Sequence, residues 1–275
     1  MHAPNFQLIK TPFKKAFDPI EALLQPFYLT ASQSEAVISG TAGQFVAEGR
    51  NYSIPRFIFT GPRSEDAPIR IGIFGGLHGD EPESSLGLLP FFRDLVANPD
   101  LARGYILFLY PLVNPTGFER ATRESVSGKD LNREFWSGSG EPEVYLLEQE
   151  LIDHQFHGLI ALHADRDSHG TYGYVQGATL SAEILDPALT AAEAVLPRNR
   201  DRTIDGMEAE NGIIRKGYQG VLSSPKTVPL KTTPFEIVFE TPQAAPLRDQ
   251  IEATRLALFS ILENYRGFIS FSQNI

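Results

Sequence analysis

The chain has 275 residues, 42% of them hydrophobic, a formal net charge of −10 and a sequence pI of about 5.1, a balance that supports a globular core and excludes disorder. That acidity opposes a phosphate backbone or an anionic membrane surface, and no basic run marks nucleic-acid binding. With no cysteine in the chain, disulfides, thiolate zinc sites and a cysteine nucleophile are excluded, so any metal must be held by His, Asp or Glu.

The N-terminal stretch MHAPNFQLIKTPFKKAF has no continuous apolar segment behind a basic one, and no transmembrane-length apolar run occurs anywhere. The expectation is therefore a cytoplasmic protein with no membrane partner. Asp18 followed by Pro19 makes a helix start, and Leu23, Leu24 and Phe27 form its apolar stripe. Alternation from Glu35 to Thr60 predicts an antiparallel β-edge leading into a main sheet. Residues 1–60 thus read as a helix and β-edge extension of a single domain spanning 1–275.

The run IRIGIFGG, beginning at Ile69, is a buried strand that gives way to a loop carrying His78 and Glu81. Pro82 then opens a helix whose apolar positions are Leu86, Leu89, Phe92, Leu95 and Val96. Gly104–Tyr110 is a second continuous apolar strand, ending at Asn114-Pro115-Thr-Gly117. The following twenty or so residues, rich in charge and glycine, predict a long ordered loop, and such loops inside compact domains are usually functional. Glu143–His157 reads as a helix with Val144, Leu147, Leu151 and Phe156 inward. Gly158–Leu162 is a strand ending on His163. Tyr172–Gln176 is a further strand, Ala182–Leu196 a helix, and Arg198–Pro234 irregular. FEIVFE is the last strand, ending on Glu240, and Leu247, Ile251, Leu258 and Leu262 stripe a closing helix. Strands alternating with helices predict an α/β fold: a single-domain α/β/α sandwich around a mixed, mostly parallel, twisted sheet.

The chemistry gathers at strand ends, where open α/β sheets place their sites. Two imidazoles and a carboxylate, His78, Glu81 and His163, are a donor set for one zinc ion that keeps a position open for water. Glu240 is then the base for that water. His154, His157 and His169 are rival ligands, but the first two fall at a helix end and the third in a loop, whereas His163 terminates an apolar strand.

The ordered set His78-x-x-Glu81, Asn114-Pro115-x-Gly117, Arg123, Asp130-Leu131-Asn132-Arg133, His163 and Glu240 resembles the zinc carboxypeptidase family of the carboxypeptidase A type, from about Ile71 to the C-terminus. The resemblance implies one zinc ion on His78, Glu81 and His163, with Asp130 orienting the first histidine. It makes Glu240 the general base and Arg123 the group that polarises the scissile carbonyl. Asn132 and Arg133 would bind the terminal carboxylate of a peptide substrate, and Tyr218 would be a mobile substrate-binding tyrosine. A planar guanidinium suits a carboxylate through two parallel hydrogen bonds.

The related succinylglutamate desuccinylase and aspartoacylase branch shares several of these elements, so an N-acyl amino acid deacylase is an alternative. A non-catalytic binder of peptides or carboxylates is another. The deacylases carry a further domain after the catalytic glutamate, whereas few residues follow Glu240 here, which favours the carboxypeptidase. Asp80 stands where pancreatic-type enzymes have arginine, and Ala164 replaces a common serine. Both departures bear on substrate preference, as would Lys226 if it faced an acidic side chain in the specificity pocket.

Overall fold

The computed structural model describes residues 18–222, 230 and 234–272; Lys226 lies outside them. Asp18 caps the first helix, α1 (Pro19–Ala31), by accepting from the backbone N–H groups of Ile20 and Glu21, and Leu23, Leu24 and Phe27 are buried. Next comes a hairpin of β1 (Val37–Ala47) and β2 (Arg50–Thr60). Its two turn residues, Glu48 and Gly49, both have positive φ, the conformation that matches a two-residue turn to strand twist.

The remaining strands are β3 (Ile69–Phe74), β4 (Tyr105–Tyr110), β5 (Gly158–Asp165), β6 (Tyr172–Val175), β7 (Thr203–Ile204), β8 (Met207–Glu210), β9 (Ile213–Ile214) and β10 (Phe235–Pro242). Together they form one sheet in the order β1-β2-β4-β3-β5-β10-β6-β9-β8-β7. The sheet is mixed, as expected. Its parallel pairings are β4–β3, β3–β5, β5–β10 and β6–β9, while the other pairings among the described residues are antiparallel. The sheet is not mostly parallel, the arrangement expected from the sequence: five of the nine pairings among the described residues are antiparallel, and the parallel ones β4–β3, β3–β5 and β5–β10 hold the centre, where strands are buried on both faces and read as unbroken apolar runs. The flanks are hairpins and a meander.

Helices cover both faces. On one side α2 (Pro82–Ala97), α6 (Asp186–Ala192) and α7 (Leu247–Ser272) join α1 over Phe57, Phe59, Ile73, Leu107, Ile160 and Phe239. On the other, α4 (Pro142–His154) packs Val144, Leu147 and Leu151 against Phe108, Tyr110, Leu159 and Val238. The alternate residues of each central strand thus feed two separate cores. No helix among the described residues is long and apolar enough to cross a membrane.

Local departures from expectation have packing causes. The buried stripe of α2 is Leu88, Phe91, Phe92 and Leu95, and Leu86, Leu89 and Val96 are half-buried at its margins. The region after β4 is not one loop but contains α3 (Pro115–Arg120) and a 3-10 turn, Leu131–Arg133. The helix expected over Ala182–Leu196 is built of a short turn α5 (Ala178–Leu180), a π-helical turn (Ser181–Leu185) and α6. Arg198–Pro234, read as irregular, supplies β7 to β9, strands of two to four residues. Runs that short carry no periodicity.

Candidate metal centre

β3, β5 and β10 lie side by side, and their C-terminal ends define the site. His163 and Glu240 are direct partners across the β5–β10 pairing, so their side chains leave the sheet together. His78 and Glu81 arrive from the loop after β3. Gly76, with φ of +63°, turns this loop, and at Gly79 an added Cβ would stand 2.0 Å from the Gly117 carbonyl carbon. Only glycine lets the ligand loop lie so close to the start of α3. Asn114 locks that junction: its Oδ1 accepts from the Gly117 N–H at 2.8 Å, and its amide donates to the carbonyls of Leu77 and Arg123.

His78, Glu81 and His163 converge and are all buried. The Nδ1 atoms of the two histidines are 3.1 Å apart, His78 Nδ1 is 2.6 Å from one Glu81 oxygen, and His163 Nδ1 is 3.0 Å from the other. Four donors placed tetrahedrally at about 2.1 Å from zinc would be spaced by about 3.4 Å. The three observed separations are shorter than that spacing by about 0.3 to 0.8 Å, so a small outward shift of the donors would admit an ion, and two imidazole nitrogens with one carboxylate form a donor set that zinc favours. The group can hold a metal ion.

The outer contacts turn these donors inward. His78 Nε2 faces Asp130 Oδ1 at 3.2 Å, the carboxylate–histidine arrangement that fixes ring orientation and leaves Nδ1 for a metal. The Ala164 backbone N–H donates to Glu81 Oε2 at 3.1 Å. The Asn132 amide lies 3.3 Å from His163 Nε2. His154, His157 and His169 lie elsewhere: His154 contacts Glu150 and Arg56, His157 accepts from the Arg70 N–H, and His169 is exposed near Asp201.

Charges follow these contacts. Burial opposes ionisation of His78, but Asp130 and Glu81 outweigh it and raise its pKa to about 9. Burial likewise raises Glu81, yet the two imidazoles prevail and hold it well below the usual carboxylate range. Asp130 is also held low, the His78 and Arg123 contacts outweighing its burial. His163 is lowered by burial against the pull of Glu81. Glu240 goes the other way, pushed up to about 8 by burial and by the Glu81 charge, against the hydrogen bond from Tyr218.

A cavity of about 430 Å3 opens beside this cluster, lined by Arg123, Asn132, Arg133, Tyr218 and Glu240 among others. Arg123 donates from Nε to Asp130 Oδ2 at 3.1 Å, with another nitrogen 3.4 Å from Glu81, and its side chain remains 41% exposed. It keeps donors for a ligand. Arg133 is exposed at the mouth, whereas Asn132 is buried. The Tyr218 hydroxyl donates to Glu240 Oε1 at 2.7 Å. Of the residues given a role from the sequence, His78, Glu81, Arg123, Asn132, Arg133, Tyr218 and Glu240 line this cavity, while His163 and Asp130 do not, Asp130 standing behind His78. Residues not singled out for the site also shape it: Tyr172 donates to Asp165 at 2.9 Å and lies 3.4 Å from the Tyr218 hydroxyl, and Gln243 donates to the Asp80 carbonyl at 2.7 Å. Asp80 itself pairs with Arg166. Their sole signal in the sequence was nearness to a strand end.

No protein-family model matches the chain. No curated protein matches it in sequence. Solved structures do match. A structure from Shewanella baltica OS155, described as a candidate metallopeptidase, is 23% identical, with a TM-score of 0.72 over 90% of this chain and 92% of that one. A metallo-carboxypeptidase from Burkholderia cenocepacia is 15% identical, with a TM-score of 0.66 over 90% of this chain and 69% of that one. A metallo-carboxypeptidase from Pseudomonas aeruginosa, solved with (2-guanidinoethylmercapto)succinic acid, is 17% identical, with a TM-score of 0.60 over 88% and 68%. The resemblance read from the residues is therefore borne out at the level of the fold, which is that of the metallo-carboxypeptidases.

Proposed function

We propose that this chain is a zinc-dependent metallocarboxypeptidase, a single domain over its whole length, that hydrolyses the C-terminal bond of a peptide. The observation that carries this reading is the convergence of His78 Nδ1, Glu81 and His163 Nδ1 within about 3 Å of one another, beside a cavity that also holds a buried glutamate and two arginines. The metallo-carboxypeptidase neighbours support the reaction class, and a succinic acid derivative bound to one of them supports a carboxylate-bearing ligand.

His78, Glu81 and His163 would hold the ion. Zinc, when bound, supplies Lewis acidity and lowers the pKa of water from about 15.7 to about 7. The chain does the rest. Arg133, exposed at the mouth, grips the terminal carboxylate with its planar fork. Asn132, buried against His163, takes a different part from the one the resemblance implied. With Nδ1 of His163 given to the metal, Nε2 carries the proton, so the amide oxygen of Asn132 should face it. That orientation also gives a partner to the Asn132 oxygen, which is buried without one as placed. Arg123, braced by Asp130, directs its free N–H groups at the scissile carbonyl and stabilises the negative charge that develops there. Glu240 takes a proton from the attacking water and returns it to the leaving amine, a task suited to a buried carboxylate of raised basicity.

Glu240→Gln keeps the acceptor shape but removes the base. The expected outcome is unchanged zinc content with loss of nearly all turnover on blocked dipeptides, whereas His163→Ala loses the metal as well. Unchanged turnover in Glu240→Gln would exclude this assignment. Hydrolysis of N-acetylaspartate or N-succinylglutamate with no action on dipeptides would point to a deacylase instead.

A further inference from the structure

Glu236 has no part in the chemistry above, yet it is placed like a functional group. It lies four residues before Glu240 on β10, and the twofold period of a strand puts both carboxylates on one face. The segment carrying Tyr218 crosses that face and is tied to each of them. At one end the Tyr218 hydroxyl donates to Glu240 at 2.7 Å. At the other, the backbone N–H groups of Val221 and Leu222 donate to the two oxygens of Glu236 at 2.5 and 2.9 Å.

Two further features fit this clamp. Gly220 lies against it: a Cβ there would stand 2.5 Å from Glu236 Oε1, so a side chain at position 220 would force the carboxylate or the backbone to shift. Trp136 also ties the segment, its indole N–H donating to the Val221 carbonyl at 2.8 Å. Glu236 as a residue is half-buried, but both its oxygens are turned to backbone. Burial raises its pKa to about 7 in spite of the two N–H donors, a cost that an apolar residue at this place would not incur.

We propose that Glu236 is a positioning residue: by holding the Val221 and Leu222 N–H groups it fixes the segment that places Tyr218 against Glu240. This rests on the reading of Glu240 as the base. Glu236 acts through the segment and touches no reacting atom.

The chain's one tryptophan makes the test direct. Trp136 reports the segment whether or not any substrate is known. In Glu236→Gln, one of the two N–H donors meets an amide donor, and the segment should lift. Acrylamide quenching of Trp136 should rise at least about twofold, with zinc content and melting temperature close to wild type. Gly220→Ala pushes from the other side and should reproduce the change even if Glu236→Gln folds poorly. Both variants should lower kcat/KM by about 10- to 100-fold, the scale on which small misplacements act. In Tyr218→Phe, the further substitution Glu236→Gln should add no loss, because both changes remove the same contact. Quenching unchanged in both Glu236→Gln and Gly220→Ala overturns the clamp, and fully additive losses overturn its action through Tyr218. If the protein cleaves no peptide, the proposed function fails, and the fluorescence still decides whether Glu236 holds the segment.

Discussion

At the scale of single residues, the candidate site is a set of polar groups each given one direction. Glu81 shows this well: one oxygen faces His78, the other His163 and the Ala164 N–H, leaving it no freedom to turn away. Arg123 is held differently. Asp130 binds one edge of its guanidinium while much of the side chain stays open to the cavity. Arg123→Ala should therefore spare metal binding and lower kcat by about 10²- to 10³-fold, as loss of one oxyanion donor does elsewhere. A fall in affinity for substrate with kcat intact would instead assign it to ground-state binding. His78, Glu81, His163 and Glu240 were legible in the sequence as polar residues where apolar strands stop, whereas Arg123, in the loop after α3, stood out only through the resemblance. The turn of Asn132 toward His163 was not, since only the fold brings positions 132 and 163 together.

At the scale of elements, the centre depends on strand register. Glu240 sits beside His163 because β10 pairs with β5 from Phe235↔Gly158 to Pro242↔Asp165, and a slip of one residue would turn Glu240 to the opposite face. The helix on the other side of the sheet is anchored by a polar cluster. Glu150 of α4 accepts from Arg56 of β2 at 2.6 Å and from the Tyr110 hydroxyl of β4 at 2.6 Å, with His154 3.2 Å away. Burial raises the Glu150 pKa, but these three contacts outweigh it and bring it down to about 2 from 4.5. A depressed carboxylate contributes its stability above the unfolded value and loses it as pH falls through the folded one. Between pH 4.5 and about 2 the wild type should thus lose about 3 kcal/mol on this account. Glu150→Gln should start less stable at neutral pH and show a flatter decline in urea melts over that range. Parallel declines would assign the acid sensitivity to other groups. Element type was legible wherever apolar runs were long, as in β3, β4 and β5. The meander β7 to β9 was not, because its strands are held by neighbours and not by their own pattern.

At the scale of the whole molecule, a bound ion and the fold should support each other. The three candidate ligands come from the loop after β3 and from β5, elements separated along the chain by α2, β4, α3 and α4, so an ion that binds them binds only the folded state. Removal of zinc by a chelator should lower the unfolding free energy by about 2.7 to 4.1 kcal/mol, the value for free metal at 100 to 1,000 times its Kd. The check is a thermal melt with and without chelator. An unchanged melting temperature alongside measured loss of metal would uncouple the site from the fold. The ligand cluster is cross-linked by its own hydrogen bonds, so the metal-free protein should still melt cooperatively.

The sequence by itself determined the alternation of strands and helices, the residue types able to hold a metal and their places at strand ends. Those are local properties, written in hydrophobic period and in where it stops. Only the tertiary structure decided that β3, β5 and β10 are neighbours, that Asn114 joins the ligand loop to Arg123, and that Glu236 lies under the Val221 and Leu222 backbone. Such facts depend on strand order and register, which are set by how all the faces bury at once. A carboxylate whose partners are backbone N–H groups leaves no trace in residue type.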